Sequence, residues 1–216
     1  DQALNSNVLV KIHIKLDTGM GRIGFSIQDI ERDKNVVNTI EKIFDFKGIK
    51  VEGMFTHFAV SDEPGDGVEN TKTQYNNFIF VANELKKRGK EIPLKHCGNS
   101  AAILNYPEMN LDMVRAGIIL YGLFPSDFVN HELRLQPSLE FKTVVSMIKE
   151  VPKGTSISYG RTYITNKTTK VATVPVGYAD GYLRAFSNKA SMLINGKRVP
   201  VIGRVCMDQL MLDVTN

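Results

Sequence analysis

The sequence predicts a mixed fold in which a parallel α/β part is followed by an all-β domain. Three observations support this: strand-like and helix-like segments alternate up to about residue 125, helical segments then disappear, and turn signals recur at short intervals afterwards. We place the domain boundary so that residues 1–130 form the α/β part and residues 131–216 form the β-domain.

Apolar periodicity locates the elements of the α/β part. Residues 8–16 alternate, so that Ile14 and Leu16 share one strand face while His13 and Lys15 share the other. Strands are predicted at residues 8–16, 51–58, 93–97 and 114–120, and helices at residues 26–46, 70–88 and 100–105. This order is typical of parallel strands joined by right-handed crossovers.

The β-domain is predicted from turns rather than from long strands. Residues 135–150 are strand-like and no helical pattern follows them. The pair Asn195-Gly196, between two apolar runs, is a strong signal for a tight hairpin.

Composition excludes several classes of protein. The 216 residues carry a net charge of only +4 with scattered basic residues, which does not suggest nucleic-acid binding. No apolar run reaches the length that a bilayer requires. The two cysteines, Cys97 and Cys206, are too few for a disulfide framework and indicate a cytoplasmic protein with reduced thiols. No Cys or His lies at metal-ligand spacing from Cys206, so no metal site is predicted.

Residues 95–122 contain the first candidate site. Asn99 and Ser100 open a helix whose free backbone N–H groups could face an anion, and Arg115 adds a cation beside Gly117. This combination suggests a cofactor that carries a phosphate. On this stretch alone, a strand, a capped helix and a second strand with ordinary turns explain the pattern equally simply.

The motifs around this stretch occur in a recognisable order. They are KLDTGMGRIG, THFA, HCGNSAA, VRAGIILYG, ISYG, GYADG and GRVCMDQ. Read together, they resemble the bacterial alanine racemases, enzymes that use pyridoxal 5′-phosphate (PLP). The resemblance implies the C-terminal part of a (β/α)8 PLP-binding barrel followed by a β-strand domain. It also implies interconversion of L- and D-alanine, which supplies D-alanine for cell-wall peptidoglycan.

The resemblance assigns the cofactor-binding residues. Ser100, with Asn99 beside it, and the backbone N–H groups of Gly117 and Ile118 would hold the phosphate. Arg115 would face the pyridine nitrogen, where a permanent cation disfavours ring protonation and so suits racemisation rather than transamination. The plainer alternatives are a helix cap for Ser100 and a surface salt bridge for Arg115.

The acid–base residues are also assigned by resemblance. Tyr159 would be the base on one face of the substrate Cα and would reach the cofactor of the other subunit, which implies a homodimer with shared active sites. His57, linked towards Arg115, would tune it, and His96 would lie further out. Each histidine at a strand end could instead be purely structural.

The remaining assignments concern the substrate. Arg22 and the backbone of Met207 would hold the substrate carboxylate, and Arg22 would also reach the phenolic oxygen of PLP. Lys15 matches a position that is carbamylated in many family members, where the carbamate would fix Arg22. Cys206 and Asp208 would line the site from the β-domain.

Two features of the family pattern are missing, the lysine that anchors PLP and a C-terminal tyrosine of the phosphate site. No lysine in this chain has the context of the lysine that anchors PLP, so the chain is expected to be a fragment that is inactive alone. Serine or broad-specificity racemases, non-catalytic PLP-binding barrel proteins and a mere folding or interaction module remain alternatives.

Overall fold

The computed structural model describes residues 2–216, and its contacts divide the chain into one unit that ends at Leu139 and a second unit over Glu140–Asn216. This division lies later than the predicted boundary at residue 130. Residues before Leu139 stay with the first unit because the backbone and side chain of Ser138 donate hydrogen bonds to the Tyr121 carbonyl, at 3.1 and 3.5 Å. Gly122 allows this approach, since a Cβ there would lie 2.0 Å from the Gln136 carbonyl oxygen.

The described part of the first unit alternates strands and helices. Its strands are β1 (Val10–Asp17), β2 (Phe25–Ser26), β3 (Ile49–Phe55) and β4 (Leu94–His96). Its α-helices are α1 (Gln2–Asn5), α2 (Ile30–Asp33), α3 (Val36–Glu41), α4 (Asp66–Lys87) and α5 (Ser100–Asn105), with 3₁₀ turns at Lys42–Asp45, Pro107–Met109 and Ile118–Tyr121. The strands pair in parallel in the order β2-β1-β3-β4.

The core of this unit lies between the sheet and helices α3 and α4. Ile14 and Leu16 of β1 are buried there, as their alternation predicts. Other buried members of this core are Ile27, Val37, Ile40, Met54, Phe78, Val81 and Leu85. Because strand side chains alternate, His13 and Lys15 project from the opposite face of the sheet.

Two predicted elements of the first unit are wrong. Residues 114–120 form no strand: the N–H of Arg115 donates to the Gly98 carbonyl, but a 3₁₀ turn begins at Ile118 and ends the extended run. Residues 26–46 are not one helix, because Ser26 pairs with β1 and Asp29 caps a new start by accepting from the Arg32 N–H.

The second unit is made of short strands, as predicted. They are β5 (Met147–Val151), β6 (Ser156–Ile157), β7 (Tyr163–Ile164), β8 (Thr169–Val174), β9 (Ser191–Ile194), β10 (Lys197–Ile202) and β11 (Leu210–Asp213). An antiparallel sheet has the order β5-β8-β11-β10-β9, and β6 pairs with β7. The predicted hairpin at Asn195-Gly196 is confirmed, and both residues have positive φ. Of residues 135–150, only those from Met147 onward are in a strand.

Candidate functional site

The ends of β3 and β4 converge on the guanidinium of Arg115. Its Nη2 donates to the carbonyl oxygens of Thr56 at 2.7 Å and Cys97 at 3.3 Å, and its Nη1 donates to that of His96 at 3.2 Å. Carbonyls at the carboxyl ends of parallel strands need donors once the ladder stops. Arg115 therefore joins the two strand ends and is held there by backbone.

Two imidazoles complete the surroundings of Arg115. Its Nη1 lies 2.5 Å from His96 Nδ1, and its Nη2 lies 3.3 Å from His57 Nδ1. Because a guanidinium only donates, both Nδ1 atoms accept and each neutral ring carries its proton on Nε2. The two protons of Nη2 are shared among three acceptors, of which the Thr56 carbonyl is the nearest. His96 then donates from Nε2 to His13 Nδ1 at 2.7 Å. The structure thus places His96, which was expected further out, as the nearer imidazole partner of Arg115.

Both imidazoles are held neutral by their surroundings. Burial, and then the charge of Arg115, lowers the pKa of His57 from 6.5 to about 4. The same two causes lower the pKa of His96 to about 4. Neutral rings can accept from Arg115, so the electrostatics agree with the hydrogen-bond pattern.

An aromatic ring that the sequence analysis missed packs beside this cluster. Phe55 stacks on His96 with ring centroids 5.0 Å apart and planes 1° from parallel, and Arg115 Cζ lies 5.2 Å from the Phe55 centroid. The sheet register aligns Lys15 with Phe55 and Phe55 with His96, so the three form a row across β1, β3 and β4. Because this row depends on the register of three strands, no single segment of the sequence points to Phe55.

The Nε–H of Arg115 remains available. Within residues 2–216 it has no hydrogen-bond partner, whereas both Nη atoms are engaged. The partners of Arg115 in this range are carbonyls and imidazoles, not carboxylates. The guanidinium therefore keeps an uncompensated positive charge and one donor for an external acceptor such as a pyridine nitrogen.

Lys15 lies close to other cations. Its ammonium donates to the Leu16 carbonyl, and burial lowers its pKa, with further lowering from Arg22 and Arg115 and an opposing effect of Asp17. Arg22 is exposed on the loop that follows β1. An unmodified Lys15 therefore repels Arg22, and the carbamate on Lys15 stays a prediction.

The predicted phosphate site is built around the start of α5. Asn99, not Ser100, is the N-cap, and its Oδ1 accepts from the Ala102 N–H at 2.9 Å. Ser100 is therefore free of capping, and its Oγ accepts from the Gly117 N–H at 2.9 Å. The serine hydroxyl keeps its own proton to donate. The Gly117 N–H, which was expected to face the phosphate, thus donates to Ser100 instead. The assignment of Ser100, Asn99, Gly117 and Ile118 to the phosphate stays a prediction.

Tyr159 belongs to the second unit. Tyr159 is 69% exposed, at the start of a 3₁₀ turn. The preceding Ser158 has φ +63° and ψ −175°, a conformation that is costly for a non-glycine residue and tends to occur at functional sites. Its Oγ donates to the Arg204 carbonyl at 2.6 Å and lies 3.5 Å from Cys206 Sγ. These contacts fix the Tyr159 turn against the segment that carries Cys206 and Met207.

The GYADG segment, residues 177–181, also lies against the backbone of Cys206 and Met207. The N–H of Tyr178 donates to the Cys206 carbonyl at 3.0 Å, and that of Ala179 donates to the Met207 carbonyl at 2.9 Å. A Cβ on Gly177 would lie 2.3 Å from the Cys206 carbonyl oxygen, so glycine is required there. The Met207 side chain remains 61% exposed.

Sequence comparison explains why these two clusters occur in one chain. A family model described as the alanine racemase N-terminal domain matches residues 1–125, and one described as the alanine racemase C-terminal domain matches residues 138–216. The chain belongs to the alanine racemase family.

Individual members of this family are similar over nearly the whole chain. The alanine racemase of Halothermothrix orenii is 48% identical over 213 residues, which are 99% of this chain and 54% of that protein. The structure of alanine racemase from Clostridium difficile 630 is 41% identical, with a TM-score of 0.86 over all of this chain and 54% of that one. Its complex with cycloserine is 39% identical, with a TM-score of 0.84 over 99% and 53%. The chain thus spans about half the length of the relatives it matches.

No helix within residues 2–216 combines the length and apolarity needed to cross a bilayer. In the same residues, His, Cys, Asp and Glu side chains form no group that could hold a metal ion.

The neutral histidines predict how stability depends on pH. Because the folded-state pKa of His57 and of His96 is about 4, below the ordinary 6.5, unfolding takes up protons between these values. The free energy of unfolding should therefore be fully developed above pH 6.5 and should fall as the pH drops towards 4. Denaturant unfolding of wild type and His96→Asn at several pH values tests this. If His96→Asn left the pH dependence of the free energy of unfolding unchanged between pH 4 and 6.5, the assignment of His96 as a buried neutral imidazole would be contradicted.

Proposed function

We propose that the protein containing this chain is a PLP-dependent alanine racemase that interconverts L- and D-alanine and supplies D-alanine for peptidoglycan. The observation that carries the proposal concerns Arg115. Carbonyls and imidazoles hold its guanidinium, and its Nε–H has no partner within residues 2–216. We place the protein in the cytoplasm, and the free cysteines Cys97 and Cys206 of this chain agree with that location.

The residues of the first unit fit PLP. The hydroxyl of Ser100, aligned by the Gly117 N–H, would donate to the phosphate, and Arg115 Nε would donate to the pyridine nitrogen. When bound, PLP acidifies the Cα–H of an amino acid attached to it. Because Arg115 stays cationic, it disfavours protonation of the ring, which favours return of the proton to Cα over transfer of the amino group.

Racemisation requires a proton-transfer group on each face of Cα. Tyr159 is proposed as one of them, since its hydroxyl is on an exposed, strained turn beside the Met207 segment. We further propose that the protein is a homodimer in which Tyr159 and Met207 of one subunit complete the site of the other. The exposure of both side chains within their own unit supports this.

The substrate carboxylate would be held by Arg22 and the backbone of Met207. Arg22 is exposed, so a ligand can reach it. A carbamate on Lys15 would turn the cation behind Arg22 into an anion and fix the guanidinium by charge-assisted hydrogen bonds.

Activity assays on the full-length protein separate the candidate functions. With PLP present, D-amino-acid oxidase should detect product from L-alanine much faster than from L-serine, and cycloserine should inhibit. Faster turnover of L-serine than of L-alanine would replace alanine with serine as the assigned substrate. No turnover of any amino acid, with PLP bound, would favour a non-catalytic PLP-binding protein, although the match to the C-terminal domain disfavours that reading.

Lys15 should be carbamylated in the assembled protein. CO2 adds to a neutral amine with loss of a proton, and the lowered pKa of Lys15 raises its neutral fraction. A ¹³C carbamate signal should appear with labelled bicarbonate and disappear in Lys15→Arg. Lys11, on the same strand, is the matched control because its contact with Glu52 at 2.8 Å raises its pKa. A signal that survives Lys15→Arg but is lost in Lys11→Arg would contradict the prediction.

A further inference from the structure

A row of buried, hydrogen-bonded polar side chains, here called the Thr18–Thr56–Gln74 network, lies beneath the loops that follow β1 and β3 in the first unit. Thr18, Thr56 and Gln74 are 3%, 0% and 1% exposed, respectively, yet all three carry hydrogen-bonding side chains. The Oγ1 atoms of Thr18 and Thr56 are 2.7 Å apart, and Gln74 Nε2 lies 3.1 Å from Thr18 Oγ1. Buried polar groups need partners, so this arrangement has a structural or functional purpose.

The donor and the acceptor of each hydrogen bond between Gln74, Thr18, Thr56 and the Leu16 carbonyl can be assigned. Thr56 Oγ1 donates to the Leu16 carbonyl at 3.0 Å, which uses its only proton. Thr18 must then donate to Thr56, and Gln74 Nε2 must donate to Thr18. The protons thus run in one direction, from Gln74 through two hydroxyls to the backbone of β1.

The orientation of the Gln74 amide is fixed in the same way. The N–H of Ala59 can only donate, and it lies 2.9 Å from Gln74 Oε1. The Nε2 group is therefore left to face Thr18 and, at 3.3 Å, the His57 carbonyl. Each polar atom of this buried amide has a partner, and a fully satisfied network rigidifies what it joins.

The Thr18–Thr56–Gln74 network joins two loops that carry proposed site residues. The first, residues 18–24, carries Arg22 and is further braced by Asp17 Oδ1, which accepts from the Gly21 N–H at 2.9 Å. The second, residues 56–61, carries His57. Gln74 on α4 is close to both: a Cβ on Gly19 would lie 3.3 Å from Gln74 Nε2.

We infer that Gln74, Thr18 and Thr56 are positioning residues that hold the Arg22 loop and the His57 loop in fixed relation. The inference deepens the proposed function and rests on it for the roles of Arg22 and His57. Since none of the three side chains is exposed, they act through the loops and not by touching substrate. Loss of the link should therefore weaken substrate binding through Arg22 more than it slows proton transfer.

Variants of one buried position, with a control on α4, test the inference. Thr18→Val removes the central hydroxyl at similar size, and Thr18→Ser keeps it. Thr71→Val is the matched control, because Thr71 is also fully buried but its hydroxyl has no partner among the described residues. Thr56→Val breaks the network at a second point if Thr18→Val does not fold.

Amide hydrogen exchange of the full-length protein is the first readout. Thr18→Val should speed exchange at Gly21 and Ala59 by about tenfold, the effect of one lost hydrogen bond, while amides of β11 serve as an internal reference. Thr18→Ser and Thr71→Val should exchange like wild type. In the assay with alanine, Thr18→Val should raise KM more than it lowers kcat, and Thr18→Ser should restore both.

The outcomes separate this inference from the proposed function. Unchanged exchange in both loops of Thr18→Val and Thr56→Val would overturn the inference, even in an active racemase. Faster exchange in Thr71→Val as well would also overturn it, because any buried hydroxyl would then suffice. Faster exchange in the link variants alone, in a protein that racemises nothing, would support the link between the loops while the proposed function fails.

Discussion

Replacing Tyr159 with phenylalanine should reduce alanine racemisation by about 10²- to 10⁴-fold, the usual contribution of a general acid–base group. The substitution keeps the ring and removes only the hydroxyl. Because both directions of racemisation pass through the same transition states, the two net rates should fall together. Exchange of the Cα hydrogen with solvent should instead differ between the two enantiomers. The enantiomer whose proton Tyr159 abstracts should lose exchange, whereas the other keeps its base and should still exchange.

Tyr163→Phe is the control for this prediction. Tyr163 is a partly exposed tyrosine of the same unit, in the short strand β7, and no role in the site is assigned to it. Its variant should behave like wild type. Exchange from both enantiomers at wild-type rates in Tyr159→Phe would show that Tyr159 is not a base.

Replacing Arg115 with lysine should reduce kcat/KM by roughly 10²-fold or more, the cost of removing a preorganised donor. A single ammonium has three N–H groups and no fixed fork, so it cannot serve His96, the strand-end carbonyls and an external acceptor at once, as the five N–H groups of the guanidinium can. The variant should also be less stable, by on the order of 3 kcal/mol, because His96 and the strand-end carbonyls lose a charged donor.

Kinetics and denaturant unfolding of the full-length protein measure both effects. Arg198→Lys, at an exposed position on β10, is the control and should change neither quantity. Activity and stability of Arg115→Lys close to those of wild type would mean that charge alone matters at this position and that the fork-shaped donor does not.

Local patterns predicted those parts of the fold and of the site that depend on one strand or one turn. The alternation of β1 placed His13 and Lys15 on the face away from the helices, and the Asn195-Gly196 signal placed a hairpin correctly. The apolar run around Ile118 misled the prediction of a strand, because that segment turns instead.

The contacts between strands could not be predicted from the sequence alone. The row formed by Lys15, Phe55 and His96 depends on register across three strands, which no single segment specifies. The nearness of His96 to Arg115 likewise depends on where Arg115 crosses the strand ends. The choice of Asn99 over Ser100 as the cap is a local competition between two good cap residues, and geometry decides it.

Incubating the full-length protein with L-alanine and PLP in D₂O tests the central claim most directly. We predict that D-alanine accumulates until the enantiomers are equal and that the D-alanine formed carries deuterium at Cα, as two-base proton transfer requires. No D-alanine, or conversion of L-alanine to a keto acid instead, would contradict the account.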